Sequence, residues 1–335
     1  MNMWLESYLE HLQIEGKSAA TIRAVKADLR GLQRWWEGSH QRRFDIRRLT
    51  QRDVRRWVQH RQQVNAARPS TINRGLSSLR IYSRWAVSEG LLVEDPTAGV
   101  EEVASIQVAP AGISPIAIDE LLRSATLTSD LIQRRRDEAC LALLVYGGLR
   151  IQECCHVQVR DLDLAGGHVV VRSGKGGKHR RIPLSRDARQ LLQRYIADVR
   201  FPTSLPVIGD AAERELLLIG RRMIVAGQPW LPGVQPQSMR KRLKELGQLA
   251  SQRLQSMSEK ESDLQRAAEL RRAAQQVRHV TPHQLRHSLA WRMLKKGATL
   301  PEVQRILGHT RLTTTGMYLN PSADDLREAV EKGSI

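Results

Sequence analysis

The sequence predicts a mainly α-helical protein of two domains, with a small β-hairpin in the second domain. Apolar side chains recur at helical spacing over most of the chain, this pattern stops once between residues 94 and 115, and one later stretch has the signature of a hairpin. A chain of 335 residues is long enough for two domains that each bury their own core. We place the two domains at residues 1–105 and 113–335.

The first domain, residues 2–90, has the pattern of successive helices separated by short polar segments. Thr50 and Asp53 have the spacing of a capping box, and Pro69 is placed to open a further helix that ends near Gly90. Five of the seven tryptophans lie in this segment, and we expect most of them to pack the core of a small helical bundle. They are Trp4, Trp35, Trp36, Trp57 and Trp85.

The second domain follows a linker rich in Pro, Gly, Ala and Ser between residues 94 and 115. A strongly apolar helical stretch at 139–146 ends at Gly147 and Gly148. Further on, the stretches 169–171 and 181–184 flank a turn rich in Gly and Lys, and this pattern predicts the hairpin. We also expect a short strand at 216–219 and helices from there to the C-terminus. The segment 251–277 predicts one long, weakly amphipathic helix, either an exposed helical extension or a surface for a partner helix or DNA.

The chain is strongly basic, with a formal net charge of +18 from 53 Lys plus Arg against 35 Asp plus Glu. Residues 1–105 contribute +5 and the remainder +13, so the excess is not confined to one tail. Such a charge favours a polyanionic partner, because neutralising phosphates releases condensed counterions. An Arg-rich surface that only keeps the protein in solution is the alternative.

The three cysteines, Cys140, Cys154 and Cys155, make a poor disulfide framework, and their spacing is not that of a zinc knuckle. The N-terminus has no signal-peptide pattern, and no apolar stretch is long enough to cross a bilayer. We therefore expect a reduced, cytoplasmic protein without a membrane partner.

The most informative chemistry lies near the C-terminus, where His283, Arg286, His309 and Tyr318 fall within one short stretch. A tyrosine that attacks phosphorus needs cations to hold a phosphodiester and groups that transfer protons. His283 and Arg286 follow Thr281 and Pro282 at a helix start, three residues apart, and so face the same way.

Two further candidate residues lie upstream. Arg150 follows two glycines, and Lys175 lies in the glycine-rich turn, which lacks the phosphate-binding Walker pattern. Taken alone, each is better explained as a surface charge than as part of a site.

A metal site is also considered, because His283 and His287 are four residues apart. The zinc motif HExxH needs glutamate at position 284, where this chain has Gln284, and no carboxylate cluster lies nearby. We therefore expect neither a metal nor another cofactor. A metal-dependent hydrolase built on His283, His287 and His309 remains a competing hypothesis, tested by turnover in the presence of a chelator.

Taken in order, these residues resemble the signature of the tyrosine recombinases, the phage integrase family. The likeness rests on Arg150 in GGLRIQE, Lys175 in GKGGKHR, His283 and Arg286 in TPHQLRHS, His309 in LGH and Tyr318 in LTTTGMY. It covers nearly the whole chain and implies an N-terminal helical, SAM-like core-binding domain followed by an α-rich catalytic domain with a small β-hairpin. Because the chain begins almost at once with the core-binding domain, the likeness is to two-domain enzymes of the Xer, integron or transposon-resolution type.

The resemblance also implies the chemistry. Tyr318 attacks a scissile phosphate to form a 3′-phosphotyrosyl link, and Arg150 and Arg286 hold the non-bridging oxygens. Lys175 protonates the departing 5′ oxygen, His283 assists proton transfer, and His309 hydrogen-bonds the phosphate. Glu153, one helical turn after Arg150, orients the site.

The implied partners are double-stranded DNA recombination sites, on which such enzymes assemble as a homotetramer or heterotetramer, with a possible accessory protein and a nucleoid-associated location. The role in integration, excision or resolution stays open. The competing hypothesis is a non-catalytic DNA-binding regulator that keeps the fold, for which Tyr318→Phe leaves all activity intact.

Overall fold

The computed structural model describes residues 3–104, 112–172, 179–201, 214–220 and 233–308. The chain divides into two compact units, Met1–Val108 and Ala109–Ile335, a division that falls between the two ranges predicted from the sequence. Each unit has its own apolar core.

The first unit is a bundle of four helices. They are α1 (Met3–Ile14), α2 (Ala19–His40), α3 (Gln51–Gln63) and α4 (Pro69–Ser88), with a short 3-10 turn at Ile46–Arg48. Trp36, Trp57 and Trp85 are buried in the core, and Trp4 and Trp35 pack against it, which confirms the packing role predicted for the tryptophans.

Local signals in the sequence set the helix starts in this unit. Thr50 and Asp53 form the predicted capping box at the start of α3. Pro69 occupies the first turn of α4, where its missing N–H costs no hydrogen bond. Gly75 lies against the Trp57 ring and leaves no room for a side chain. A Cβ at this position would come within 2.9 Å of the Trp57 Cη2 atom.

The second unit is also mainly helical. Its helices are α5 (Pro115–Thr126), α6 (Leu131–Leu141), α7 (Ile151–His156), α8 (Arg186–Tyr195), α9 (Pro236–Lys260), α10 (Leu264–Arg278), α11 (Pro282–Lys295) and α12 (Leu300–Leu307). A π-helical turn, Ala142–Tyr146, continues α6 to the end of the predicted apolar stretch.

A small antiparallel sheet with the strand order β1-β2-β3 packs beside these helices. Its strands are β1 (Leu162–Asp163), β2 (His168–Val171) and β3 (Arg180–Pro183), and Val169 of β2 pairs with Ile182 of β3. The two hairpin strands predicted from the sequence are therefore confirmed, while the turn with Lys175 lies outside the described residues. Among the described residues, the predicted short strand at 216–219 is not formed, and Leu216 and Ile219 make isolated bridges to Gln158 and Gly233.

The prediction of one long helix at 251–277 is also wrong, because two helices share this segment. Helix α9 ends at Lys260, and α10 begins at Leu264 after Asp263, whose carboxylate accepts from the backbone N–H groups of Gln265 and Arg266. This cap starts a new helix, and the two helices pack against each other. Leu254 and Leu270 are buried in the core, so the segment is not simply an exposed extension.

Within the described ranges, no helix has both the length and the apolar character that crossing a membrane requires.

Candidate functional site

Arg150 is placed by a tight turn at the start of α7. Gly148 has a φ of +61°, in the left-handed region that favours glycine, and a Cβ there would come within 2.9 Å of the side chains of Leu289 and Leu307. Arg150 directly precedes α7, and the buried Cys154 and Cys155 fix this short helix in the core. Burial raises the pKa of the Cys155 thiol to about 12, as expected for a packing residue rather than a reactive one.

Glu153 joins two arginines through one buried carboxylate. Arg150 donates to it from its backbone N–H at 2.8 Å and from Nη1 at 2.8 Å. Arg180 of β3 donates from Nη1 at 3.0 Å and from Nη2 at 2.7 Å. Burial opposes ionisation, but these hydrogen bonds and the two positive charges outweigh it and lower the pKa of Glu153. The predicted orienting role of Glu153 therefore has a geometric basis, as a charged anchor for two guanidinium groups.

Arg180 is a member of this cluster that the sequence reasoning missed. Its side chain is 14% exposed, and it reaches Glu153 from the strand that follows the Lys175 turn. Side chains of a strand alternate between its two faces, and this alternation could have identified Arg180 from the sequence. Arg180 lies on the same face as the buried Ile182, while Arg181 between them is exposed. An arginine on a buried face needs a carboxylate or carbonyl partner.

Helix α11 starts as predicted. Thr281 and Gln284 form a capping box, and Pro282 occupies the first turn. Arg286 is 4% exposed, and its Nη1 donates to the Gly148 carbonyl at 2.6 Å. This contact ties α11 to the turn that presents Arg150, while His283, one helical turn earlier, is exposed.

Three arginines from three different elements meet at the C-terminal end of α12. Arg180 Nε donates to the Ile306 carbonyl at 3.1 Å, Arg286 Nη2 to the Leu307 carbonyl, and Arg150 Nη2 to the Gly308 carbonyl at 3.5 Å. The last carbonyls of a helix have no partner within the helix and carry partial negative charge, so guanidinium groups stabilise this end.

Gly308 allows this close approach. It ends α12 with a φ of +66°, and a Cβ at this position would come within 2.9 Å of Arg180 Cδ. The approach of Arg180 to the end of α12 therefore depends on the absence of a side chain at Gly308.

The positive cluster acts on the neighbouring histidines. Loss of solvent around part of the His283 ring lowers its pKa, and the charges of Arg286, Arg150 and Arg240 lower it further. The pKa of His287 is lowered as well, mainly by burial and to a smaller extent by electrostatic interaction with His283 and Arg286. Both imidazoles are therefore neutral at pH 7 and able to accept a proton.

The structure thus places three of the six predicted site residues, Arg150, His283 and Arg286, close together. The other three predicted site residues, Lys175, His309 and Tyr318, lie outside the described residues. In the chain, His309 directly follows Gly308, and Lys175 lies between β2 and β3. Among the described residues, no three His, Cys, Asp or Glu side chains form a group that could hold a metal ion.

Comparison with known proteins assigns the family. The sequence profile of the phage integrase family matches residues 119–324, a range that includes all six predicted site residues. The profile of the phage integrase N-terminal SAM-like domain matches residues 5–90. This chain belongs to the phage integrase family.

Its relatives include a recombinase and a resolvase. A tyrosine recombinase XerC of Xanthomonas campestris pv. campestris is 30% identical over 317 residues, covering 94% of this chain and 83% of the relative. A TnP I resolvase of Bacillus thuringiensis is 23% identical over 328 residues, covering 97% of this chain and 98% of the relative. The chain is a tyrosine recombinase, an enzyme of site-specific DNA recombination.

Solved structures of two integrases share the fold. The Tn1549 transposon integrase in complex with a circular intermediate DNA aligns with a TM-score of 0.66 and 18% identity, covering 99% of this chain and 100% of the other. A lambda integrase dimer bound to a COC' core site aligns with a TM-score of 0.61 and 16% identity, covering 94% of this chain and 97% of the other. The predicted fold class, a SAM-like helical domain before an α-rich catalytic domain with a small sheet, is confirmed.

Proposed function

We propose that this recombinase cuts and rejoins DNA through Tyr318, with Arg150 and Arg286 holding the scissile phosphate. The phenolic oxygen of Tyr318 attacks phosphorus, the bond from phosphorus to the 5′ oxygen breaks, and a 3′-phosphotyrosyl link and a free 5′-hydroxyl result. Attack by the 5′-hydroxyl of another strand reverses these steps and releases the tyrosine. The phosphodiester bond is conserved in the protein–DNA link, so rejoining needs no added energy source.

The observation that carries this proposal is the convergence of three arginines at the end of α12. Arg150, Arg180 and Arg286 all donate to carbonyls of residues 306–308. The chain continues from there to His309, and Tyr318 follows nine residues later. A phosphate entering this cluster would replace backbone carbonyls as the acceptor, and forked guanidinium donors suit the oxygens of a pentacoordinate phosphorus.

Arg150 and Arg286 have different roles in this proposal. The Arg150 side chain is 41% exposed, so it meets the phosphate first. Arg286 is buried and anchored to the Gly148 carbonyl at 2.6 Å, so it supplies a positive charge that is already in place. Glu153 acts as a positioning residue, because its carboxylate holds the guanidinium groups of Arg150 and Arg180.

Proton transfer is assigned to three side chains. His283, neutral at pH 7, accepts the phenol proton of Tyr318. Lys175 protonates the departing 5′ oxygen, and His309 donates a hydrogen bond to the phosphate. The support for Lys175 is its place in the chain between β2 and β3, since β3 brings Arg180 to Glu153.

The choice of Tyr318 as nucleophile gains support from the other tyrosines. The chain has five, and three of the four that lie in described segments, Tyr8, Tyr82 and Tyr195, are at most 1% exposed. Burial raises the pKa of Tyr8 and of Tyr195 to about 12, so neither phenol is accessible or easily ionised. Tyr146 is half-buried and serves as a control.

The partner is double-stranded DNA that carries recombination sites. The first half of α9 presents Arg240, Lys241 and Lys244 to solvent, and Arg240 is close enough to lower the pKa of His283. We propose that this helix follows the DNA backbone beside the scissile phosphate. The active assembly is a homotetramer or heterotetramer on two sites, associated with the nucleoid, and its role is integration, excision or resolution of mobile or circular DNA.

A nicked suicide substrate tests the proposal, with binding sites obtained by selection from random DNA. Loss of the short fragment past the nick prevents rejoining, so wild-type protein becomes trapped on DNA as a covalent adduct. Tyr318→Phe is expected to bind this DNA with unchanged affinity and to give no adduct. Tyr146→Phe, the matched control, is expected to give the wild-type yield. An adduct formed by Tyr318→Phe would refute the assignment.

A further inference from the structure

The α9–α10 pair is a helical hairpin whose far end has no part in the proposed catalysis. Helix α9 is 25 residues long, and α10 returns along it after a turn at residues 261–263. Leu254 and Leu270 are the last large apolar residues of the hairpin that belong to the core of the second unit. Beyond them, small side chains, Ser258 and Ala267, are buried between the two helices. The end of the hairpin, residues 254–270, is called the hairpin tip below.

Charge is segregated along this hairpin. The first part of α9, residues 236–253, has five basic residues and one acidic residue, and residues 271–278 of α10 have three basic residues and no acidic residue. The hairpin tip reverses this balance, with two basic and four acidic residues. DNA phosphates attract the base of the hairpin and repel its tip. The tip is therefore suited to a partner other than DNA.

The hairpin tip also exposes apolar side chains. Leu264 is 82% exposed and Met257 is 44% exposed, and both lie within four residues of the turn. Leu264 occupies the first position of α10, where a polar residue would serve the helix as well. Two large apolar side chains exposed near one turn, in a segment with six charged residues, suit a protein-binding surface.

We propose that the hairpin tip docks on a second copy of this chain bound to the same DNA. The chain outside the tip carries 51 basic and 31 acidic residues, so a neighbouring copy offers the positive surface that an acidic tip requires. This inference rests on the proposed function only in that two copies must lie side by side on DNA. The tip then adds a protein–protein contact to the binding of each copy.

Cooperative binding to DNA tests the inference. Glu259→Lys combined with Leu264→Ser changes the charge and the apolar surface of the tip while leaving the Asp263 cap of α10 intact. Val93→Ser combined with Glu94→Lys is the matched control, because it makes the same changes at two exposed positions of the first unit. Each protein is titrated onto DNA with one selected binding element and onto DNA with two.

The tip variant is expected to bind one element with wild-type affinity and to lose about tenfold in cooperativity on two elements, which corresponds to about 1.4 kcal/mol. The control is expected to keep full cooperativity. Wild-type cooperativity in the tip variant would overturn the inference, and so would weaker binding to a single element, which would show that the tip contacts DNA.

A covalent-adduct assay on the same proteins separates this inference from the proposed function. The tip variant is expected to form the phosphotyrosyl adduct on a single-element suicide substrate. If wild-type protein forms no adduct, the proposed chemistry is refuted. If the tip variant loses cooperativity but still forms the adduct, the docking surface is supported independently of the chemistry.

Discussion

Glu153 is the residue on which the geometry of the arginine cluster depends. Its side chain is 5% exposed, and its carboxylate accepts from both Arg150 and Arg180, so it compensates two positive charges at once. A buried carboxylate in this position fixes the direction of both guanidinium groups before any substrate arrives. Preorganised charge of this kind is the main means by which enzymes stabilise a transition state.

Glu153→Gln is expected to destabilise the second unit by about 3 kcal/mol at neutral pH, because removing one partner leaves buried charge unpaired. The free energy of unfolding in urea measures this loss. Glu269→Gln is the control, since Glu269 and Arg266 form an exposed pair whose removal costs at most about 1 kcal/mol. Equal stability of the two variants would contradict the role given to Glu153.

The effect of Glu153→Gln should also depend on pH. The folded protein lowers the pKa of Glu153, so its stabilisation is present above the pKa of an unfolded glutamate and is lost as the pH falls through the lower, folded value. The difference between wild type and variant is therefore expected to shrink in acid and to stay constant from neutral pH upwards.

Arg240 should contribute to the pH dependence of cleavage, because its charge adds to the effect of burial, Arg286 and Arg150 on the pKa of His283. If His283 accepts a proton, cleavage slows as the pH falls and the ring becomes protonated. Arg240→Gln removes a charge that lowers the pKa of His283, so the midpoint of this acid limb is expected to move to higher pH. Single-turnover cleavage with saturating protein measures the midpoint. Arg240→Lys keeps the charge and should keep the wild-type midpoint, and an unmoved midpoint in Arg240→Gln would contradict the account.

At the scale of elements, the packing of α9 on α10 supports the helix that carries Arg240. Gly247 of α9 lies against the next element of the chain, since a Cβ there would come within 2.5 Å of the Val277 carbonyl oxygen and 2.8 Å of Val280 Cγ1. The Val277 oxygen belongs to the backbone, so a clash with it cannot be relieved by rotating a side chain.

Gly247→Ala is expected to destabilise the protein by about 1–3 kcal/mol, because it forces the two helices apart. Gly38→Ala in α2 is the matched control, since nothing lies within 4 Å of a Cβ at that position. The control is expected to stabilise by about 0.5–1 kcal/mol through the higher helix propensity of alanine. Thermal unfolding of both variants checks the pair, and a shift of the same sign in each would refute the packing argument.

Sequence patterns predicted elements whose signals are local. The helix starts at Thr50, Pro69 and Thr281 follow from capping residues and proline, and the hairpin follows from two apolar stretches around a glycine-rich turn. The break at residues 261–263 was missed because helical spacing of apolar residues continues across it. Strand β1 was missed because two residues are too short for any alternation to show.

The site was predicted only in part, for a similar reason. Arg150, His283 and Arg286 lie in motifs that can be read along the chain. Arg180 does not, because its partners Glu153 and Ile306 are distant in sequence and meet it only after folding. No local pattern shows that three arginines share the end of one helix.

At the scale of the whole molecule, basic charge is spread over both units, and all six proposed site residues belong to the second. Residues 1–105 carry a net charge of +5 and the remainder +13, so each unit has the charge expected of a surface that faces DNA. The first unit has a separate core of aromatic and aliphatic residues and contributes none of the six site residues. We propose on this basis that the first unit holds DNA and the second cuts it.

The most direct test of the central claim is to identify the residue that becomes bonded to DNA. Protein trapped on a suicide substrate is digested with nuclease and trypsin, and the modified peptide is sequenced by mass spectrometry. The expected result is a nucleotide attached through its 3′-phosphate to Tyr318 in the tryptic peptide 312–327. A nucleotide on Tyr146 or on any residue other than Tyr318 would contradict the account.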